Sequence, residues 1–377
     1  MFNIKSIPNP YRKRIQSLLE TLTTQRLSGI LISQPENRRY LSGFRPSDPQ
    51  LNESTGFLLL GPGLAVLGTD SRFEEEARTQ AQGFYPFIYR KGLEASWSEI
   101  QNSLKKLDSL AFESQALSFQ THQRFRKLLR SGGASLSFKP AGLLVETLRM
   151  QKDRQELAAM RRSLEITERV FQAILKSLRP GKSEKSLAWQ IKENIIKFGG
   201  EGQAFEPIVA SGPNAALPHA EPTDRLIQKG EPILFDFGSK WQGYCSDISR
   251  TVFLGRPSDR FKEVYALVRR AQTASEKALR AGLDTIQADK LARTLIEKGG
   301  YGPCFKHSLG HGLGLAVHEM PSLSPIKPTT LKSGMVVTIE PGIYLPGWGG
   351  IRLENTVVIR EKGAQVLNQD QTFYDFK

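Results

Sequence analysis

The residues of this 377-residue chain best suited to chemistry are four acids and a group of histidines, all placed beyond its midpoint. Asp236 and Glu340 each close an apolar run, Ile233-Leu234-Phe235 and Val336-Val337-Thr338-Ile339. A carboxylate beside such a run is costly to bury unless something neutralises it. Asp247 and Glu354 follow one strand further on in each case, so a short turn would let the two acids of a pair face each other across neighbouring strands. Four of the five histidines, His219, His307, His311 and His318, lie in the same region. His311 sits in His307-Ser-Leu-Gly-His311-Gly-Leu-Gly314, where glycines let the backbone close on a bound group. Hard oxygen donors with one imidazole suit Mn²⁺, Fe²⁺, Co²⁺ or Zn²⁺ rather than a thiolate site. Four carboxylates and one histidine can hold two such ions about 3.5–4 Å apart with a water between them. Each residue taken alone would pass for a surface acid or a loop histidine. Acids recurring in matched positions are not explained that way.

The elements around these residues repeat. Leu157, Met160, Leu164, Phe171, Ile174 and Leu178 follow helical spacing up to Pro180-Gly181. Ser183 can cap a second helix carrying Leu187, Ile191 and Ile195, which Gly199-Gly200 closes. Strand-like runs follow at 205–210, 232–237 and 244–254. The order then recurs: a helix with Phe261, Val264 and Val268 up to Gly282, another with Ile286 and Leu291 up to Gly299-Gly300, and strands at 335–339 and 351–359. Local sequence recurs too, since Asp236 and Glu340 each stand six residues after a glycine (Gly230, Gly334) and two before another (Gly238, Gly342). A helix pair followed by a sheet, twice over, predicts an internal duplication around one shared site.

The first 140 residues predict an α/β domain, with strands at 29–33, 56–60, 64–69 and 84–89 and helices near 72–82, 96–107 and 121–129. This part has no glycine-rich phosphate loop and a single histidine, His122, so it is expected to carry no catalytic residues. The net charge of +14 divides as +7 over residues 1–150 (20 basic, 13 acidic) and +7 over the rest (32 basic, 25 acidic). A charge so evenly spread, without a nucleic-acid motif, reads as a solvated basic surface, and no nucleic-acid partner is expected. No apolar run approaches the roughly 18 residues that would span a bilayer, and the start of the chain lacks the apolar segment of a secretory signal. Two cysteines, Cys245 and Cys304, provide no disulfide framework. A reduced, cytoplasmic setting without membrane attachment is the expectation.

With these motifs in view, the sequence resembles the creatinase, prolidase and aminopeptidase P group of pita-bread metallopeptidases. The resemblance rests on Glu36-Asn-Arg-Arg-Tyr-Leu-Ser-Gly-Phe44 and Thr69-Asp-Ser-Arg72, and on the run Ile208 to His219. It rests equally on Gly310-His-Gly-Leu-Gly-Leu-Ala-Val-His-Glu-Met-Pro321 and Thr338-Ile-Glu-Pro-Gly-Ile-Tyr344. It implies an α/β creatinase-like N-terminal domain over residues 1–145 and an α+β pita-bread catalytic domain with internal pseudo-twofold duplication over 146–377. The metal ligands it implies are Asp236, Asp247, His311, Glu340 and Glu354, binding two divalent ions, Mn²⁺ first and Co²⁺, Zn²⁺ or Fe²⁺ as alternatives. Glu340 would carry the proton, His219 and His318 would contact substrate and the tetrahedral intermediate, and His307 would line the proline pocket. Arg352 would belong to the substrate-binding network. Asn355 departs from the Asp that many relatives carry after the last ligand. The implied reaction is hydrolysis of the Xaa-Pro bond at the N-terminus of peptides, with proline-containing peptides as partners and a homodimer by analogy. An Xaa-Pro dipeptidase, a non-peptide C–N hydrolase of the creatinase kind and a non-catalytic peptide-binding module are the alternatives. Methionine aminopeptidase fits less well, because those enzymes lack the N-terminal domain.

Overall fold

The computed structural model describes residues 6–50, 52–131 and 136–376. Contacts divide the chain into two units, Met1–Arg149 and Met150–Lys377.

In the first unit the short apolar runs become strands, and the four inner ones are buried on both faces, as in a sheet covered by helices, while the two edge strands are only partly buried. They are β1 (Gly29–Ile32), β2 (Phe57–Gly61), β3 (Leu64–Thr69), β4 (Tyr85–Ile88), β5 (Ser109–Glu113) and β6 (Ser137–Ala141). The sheet runs β4-β3-β2-β1-β5-β6. Pairing is antiparallel for β1–β2 and β2–β3 and parallel for β3–β4, β1–β5 and β5–β6. Helices α1 (Tyr11–Thr24), α2 (Pro35–Ser42), α3 (Glu74–Gln80), α4 (Leu93–Ser96), α5 (Ser98–Leu104), α6 (Phe119–Ser131) and α7 (Leu144–Met150) complete the unit. The pattern predicted over 96–107 divides into α4 and α5 at Trp97, whose side chain is buried.

Helix α2 shows why the Glu36–Phe44 run has its polar residues. Pro35 starts the helix, and Gly43, at φ 82°, ends it. Asn37 and Arg38 are fully buried. The Glu113 carboxylate accepts from the Ser33 and Gln34 amides at 2.6 and 2.7 Å and from Asn37 Nδ2 at 2.6 Å. Arg38 pairs with Asp48 at 2.8 Å and donates to Thr55 Oγ1 at 2.7 Å and to the Gly56 carbonyl.

The second unit opens with α8 (Arg154–Ser177), whose start is closed by a capping box between Asp153 and Glu156. Helix α9 (Glu184–Lys197) follows, and the Ser183 hydroxyl accepts from the Ser186 amide at 3.1 Å. Strands β7 (Ile208–Ser211), β8 (Pro232–Phe237) and β11 (Ile248–Phe253) form one sheet in the order β11-β8-β7, while β9 (Lys240–Trp241) and β10 (Tyr244–Cys245) make a separate hairpin. The second half repeats the scheme with α10 (Asp259–Ala278) and α11 (Thr285–Lys298), capped by Ser258 and Asp284. Its sheet runs β13-β12-β14-β17-β18, from β12 (Gly310–Gly312), β13 (Glu319–Leu323), β14 (Val336–Ile339), β17 (Asn355–Arg360) and β18 (Gly363–Val366). Its hairpin is β15 (Gly342–Leu345) with β16 (Gly349–Arg352). Isolated bridges pair Ser183 with Leu226 and Asp284 with Thr330, at matching places in the two halves.

Two runs predicted as single strands are broken. The 244–254 run parts at Ser246-Asp247 and the 351–359 run at Leu353-Glu354, where the chain leaves a hairpin and enters a sheet. At the second break the Glu354 amide donates to the Ser249 carbonyl at 3.1 Å, across the two halves. The second acid of each pair thus sits where the backbone changes partners. Among the described residues no helix is long and apolar enough to cross a membrane.

Replacing Arg38 by Met keeps the length of the stem but leaves the half-buried Asp48 with only the Thr55 donors and the Gly56 carbonyl with only the Ser54 hydroxyl. We expect a loss of about 1–3 kcal/mol, the usual cost of leaving polar groups short of a partner. Urea unfolding of the variant against the parent measures it, and a change below about 1 kcal/mol would show that water replaces the guanidinium.

Candidate metal centre

Asp236 is on β8, directly opposite Ser249 on β11, so the two side chains share a face of the sheet. Glu340 follows the last residue of β14, and its amide donates to the Leu309 carbonyl at 2.8 Å. His311 lies on β12, with its amide held by Thr338 Oγ1 at 3.0 Å; the same hydroxyl donates to Glu340 Oε1 at 3.2 Å. Close backbone approach is needed here. A Cβ on Gly310 would stand 2.1 Å from the Thr338 carbonyl, and one on Gly238 would stand 1.7 Å from that of Ser246, next to Asp247.

These supports bring the side chains together. His311 Nε2 lies 3.3 Å from Glu340 Oε1 and 3.7 Å from Asp247 Oδ2. Ligating atoms of Asp247, His311 and Glu354 all fall within 4.8 Å of one another. Asp236 adjoins Asp247 closely enough for their carboxyls to interact directly. Burial, then the charges of Glu354 and Asp236, pushes the Asp247 carboxyl well above the usual carboxylate range. Burial, then Glu340 and Asp236, pushes Glu354 up to about 8. Burial also opposes ionisation of Glu340, but the imidazole of His311 outweighs it and holds that carboxyl at about 2, while His311 itself rises to about 9.

The donor set fits a cation on two observations. Asp247 Oδ1 and Glu354 Oε1 are buried and have no hydrogen-bond partner. His311 Nδ1 lies 3.0 Å from the Gly312 carbonyl, which can only accept, so Nδ1 carries a proton and Nε2 is the nitrogen turned to the Asp247 and Glu340 carboxylates. Without a cation a proton on Nε2 answers the carboxylates; with one, that nitrogen would offer its lone pair instead, and a backbone carbonyl fixing the far nitrogen is the usual support of a ligating histidine.

The remaining predicted residues surround this cluster. Arg352 is buried and reaches four groups: Ser249 Oγ at 2.9 Å, the Pro218 carbonyl at 3.1 Å, Tyr344 Oη at 2.6 Å, and Asp236. Tyr344 Oη is 2.9 Å from His307 Nε2, and His307 Nδ1 is 2.8 Å from the Ser308 carbonyl. Because that carbonyl accepts only, His307 is protonated on Nδ1, and Tyr344, which accepts from Arg352, donates to Nε2. Both nitrogens of His307 are engaged, which leaves its ring, edge-on to Phe305 at 5.1 Å, as an apolar surface. His318 is exposed, its ring 4.4 Å from that of His311. His219 is also exposed, one residue beyond Pro218, and near enough for its charge to act on His307 and His318. Tyr344 was assigned no role by the sequence reading, although it ends one of the motifs quoted. Thr338, two residues before Glu340, was passed over likewise.

The model of metallopeptidase family M24 matches residues 158–361, and that of the creatinase/prolidase N-terminal domain matches residues 14–151. The chain belongs to metallopeptidase family M24. Among its M24 relatives, an Xaa-Pro dipeptidase of Pyrococcus furiosus is 32% identical, covering 96% of this chain and 99% of the relative. Of the solved structures, an Xaa-Pro dipeptidase from Bacillus anthracis matches with a TM-score of 0.87 at 34% identity, over 96% of this chain and 98% of that one. An X-Pro aminopeptidase from Thermotoga maritima matches with a TM-score of 0.81 at 33% identity, over 94% and 99%. The M24 fold is the one described above, a creatinase-type α/β unit and a duplicated catalytic unit. Asn355 lies outside the cluster: its amide donates to Glu276 at 2.6 Å, and its oxygen accepts from Arg250 at 3.2 Å. An aspartate there would face Glu276 as a like charge.

Glu354→Gln makes permanent the neutral form that burial and the neighbouring acids favour for this carboxyl. In protein freed of divalent ions we expect it to raise the thermal midpoint, because repulsion is relieved. The stabilisation that Mn²⁺ gives the parent, about 2.7 kcal/mol at a hundredfold excess over Kd, should be lost. Thermal unfolding in chelator and in Mn²⁺ reads both effects; a variant stabilised by Mn²⁺ as fully as the parent would remove Glu354 from the ligand set.

Proposed function

We propose that this M24 protein is an Xaa-Pro aminopeptidase, hydrolysing the bond before a proline at the N-terminus of peptides. The observation that carries the reading is the approach of the Glu340, Asp247 and Glu354 carboxylates to His311, with Asp236 beside Asp247 and two buried carboxylate oxygens left without a hydrogen-bond donor. In this reading Asp236, Asp247, His311, Glu340 and Glu354 hold two divalent cations, Mn²⁺ first. When bound, such a pair supplies Lewis acidity and makes water a nucleophile near neutral pH.

The chain's own residues do the rest. Glu340 takes the proton of the attacking water and delivers it to the proline nitrogen, which has no hydrogen of its own and must be protonated to leave. His219 and His318, both exposed at the edge of the cluster, donate to the carbonyl oxygen as it gains charge. Arg352 holds Asp236 and the Pro218 carbonyl at once and so keeps the His219 segment in register with the acids. The ring of His307, with its nitrogens occupied, offers the proline ring an apolar wall.

A second reading, cleavage confined to Xaa-Pro dipeptides, is supported by the names of the Pyrococcus furiosus and Bacillus anthracis relatives. The two differ in whether the proline carboxyl must be free.

Assays of Xaa-Pro dipeptides beside Xaa-Pro-Xaa tripeptides, each with Mn²⁺, Co²⁺ and Zn²⁺, separate the readings. We expect tripeptide turnover at least as fast as dipeptide turnover; activity on dipeptides alone selects the second reading, and activity on neither rejects both. Glu340→Gln should abolish turnover. His318→Ala should lower kcat by about 10²–10³ with metal content unchanged, the usual effect of losing one such donor. Full activity in His318→Ala would leave His219 as the donor.

A further inference from the structure

Glu184, the first residue of α9, lies outside the metal cluster, yet it is fully buried and makes more hydrogen bonds than a cap requires. Its Oε1 accepts from the amide and hydroxyl of Ser211, both at 2.7 Å. Its Oε2 accepts from the Thr223 amide at 3.0 Å and the Thr223 hydroxyl at 2.6 Å. Asn214 Nδ2 bridges both oxygens at 3.2 and 3.1 Å. One carboxylate therefore gathers the last residue of β7 and the far end of the segment that follows it. The backbone amides of Lys185 and Glu184 bond to the Thr223 and Arg225 carbonyls and close the same junction. Arg225 adds a flank, reaching Ser211 Oγ at 2.6 Å and Glu231 Oε1 at 2.7 Å.

Between Ser211 and Thr223 the chain carries His219. Within that stretch Leu217 and His219 are exposed, and only a few internal bonds are made, such as Leu217 N to the Asn214 carbonyl at 3.0 Å and Ala220 N to the Leu217 carbonyl at 3.2 Å. A further polar anchor is the Pro218 carbonyl on Arg352 Nη1. The segment is thus fixed at its base by Glu184 and near its tip by Arg352, which also holds Asp236. Ionic hydrogen bonds from several donors to one buried carboxylate are the strongest polar ties available to a loop.

We propose that Glu184 is a positioning residue for His219: it closes the base of the 211–223 segment so that the imidazole is held where substrate charge develops. The proposal rests on the reading of His219 as a donor in the reaction. Glu184 touches neither substrate nor metal, and it acts only through the loop. Displacement of a catalytic group by about 1 Å can cost up to about a hundredfold in rate.

The test is a double-mutant cycle on the metal-loaded full chain, with backbone hydrogen exchange beside it. Glu184→Ala should lower kcat for an Xaa-Pro peptide by about ten- to a hundredfold with metal content unchanged. In a His219→Ala background the same substitution should cost less than about twofold, because the group it positions is gone. Amides of residues 212–222 should exchange faster in Glu184→Ala while those of β8 and β11 keep their protection. Thr223→Val and Ser211→Ala each remove one hydroxyl and keep the amide, so they should show smaller losses of the same kind, and they decide the matter if Glu184→Ala does not fold. Equal losses with and without His219, or unchanged exchange over 212–222, would overturn the proposal. A parent without Xaa-Pro hydrolysis would reject the functional reading alone, and hydrogen exchange would still decide whether Glu184 tethers the loop.

Discussion

Four carboxylates brought into one enclosed place repel one another, and the catalytic unit is organised around that repulsion. Burial and mutual charge push Asp247 and Glu354 towards the protonated form, while Glu340 stays ionised against burial through the His311 imidazole beside it, helped by His307 and Arg352. Such an arrangement costs stability unless a cation is supplied, and functional sites are where folds tolerate that cost. Neighbouring polar groups mostly hold the acids in place rather than neutralise them. Thr338 sets the spacing between His311 and Glu340, and Arg352, the full positive charge reaching Asp236, also grips Ser249 and the Pro218 carbonyl.

The duplication gives this crowding a geometric solution. In each half a strand brings in the first acid, a short hairpin follows, and the second acid falls where the hairpin hands the chain to a sheet: Asp247 between β10 and β11, Glu354 between β16 and β17. At such a break the backbone is free of one ladder, and its side chain can aim inward instead of alternating across a sheet. The Glu354 amide bond to the Ser249 carbonyl then locks one half against the other. The glycines Gly238 and Gly310 let the strands come close enough, because a Cβ at either would overlap a carbonyl.

The N-terminal unit applies the same chemistry to a structural end. Its buried charges include Arg38 and Glu113, each held by several hydrogen bonds, and its lone histidine, His122, stacks against Phe138 at 5.2 Å and packs on Phe112 at 4.8 Å. Both oxygens of Glu113 have donors there, although Arg38 Nε is left without an acceptor. The cluster around His311 differs in leaving carboxylate oxygens without donors.

Much of this was legible in the sequence, because local rules governed it. The caps at Ser183 and Gly199, the helix pairs, the apolar runs of β8 and β14 and the recurrence of an acid after each depend on residues close in the chain. The motifs likewise singled out His311, Asp247 and Glu354, whose ligating atoms the fold places together. Other features depended on partners far away in sequence, and no periodicity encodes those. The strands broken at Asp247 and Glu354 read as continuous, since no glycine or proline interrupts either run and only the change of neighbour divides them. The chain from Asp236 through Arg352 and Tyr344 to His307 joins residues 116, 8 and 37 positions apart, and the tie from Glu184 to Thr223 spans 39. Residue type and local spacing determined which groups could do the chemistry. Tertiary structure decided which nitrogen carries a proton, which ring face is left open and which carboxylate holds a loop, because each of those depends on the atom that happens to face it.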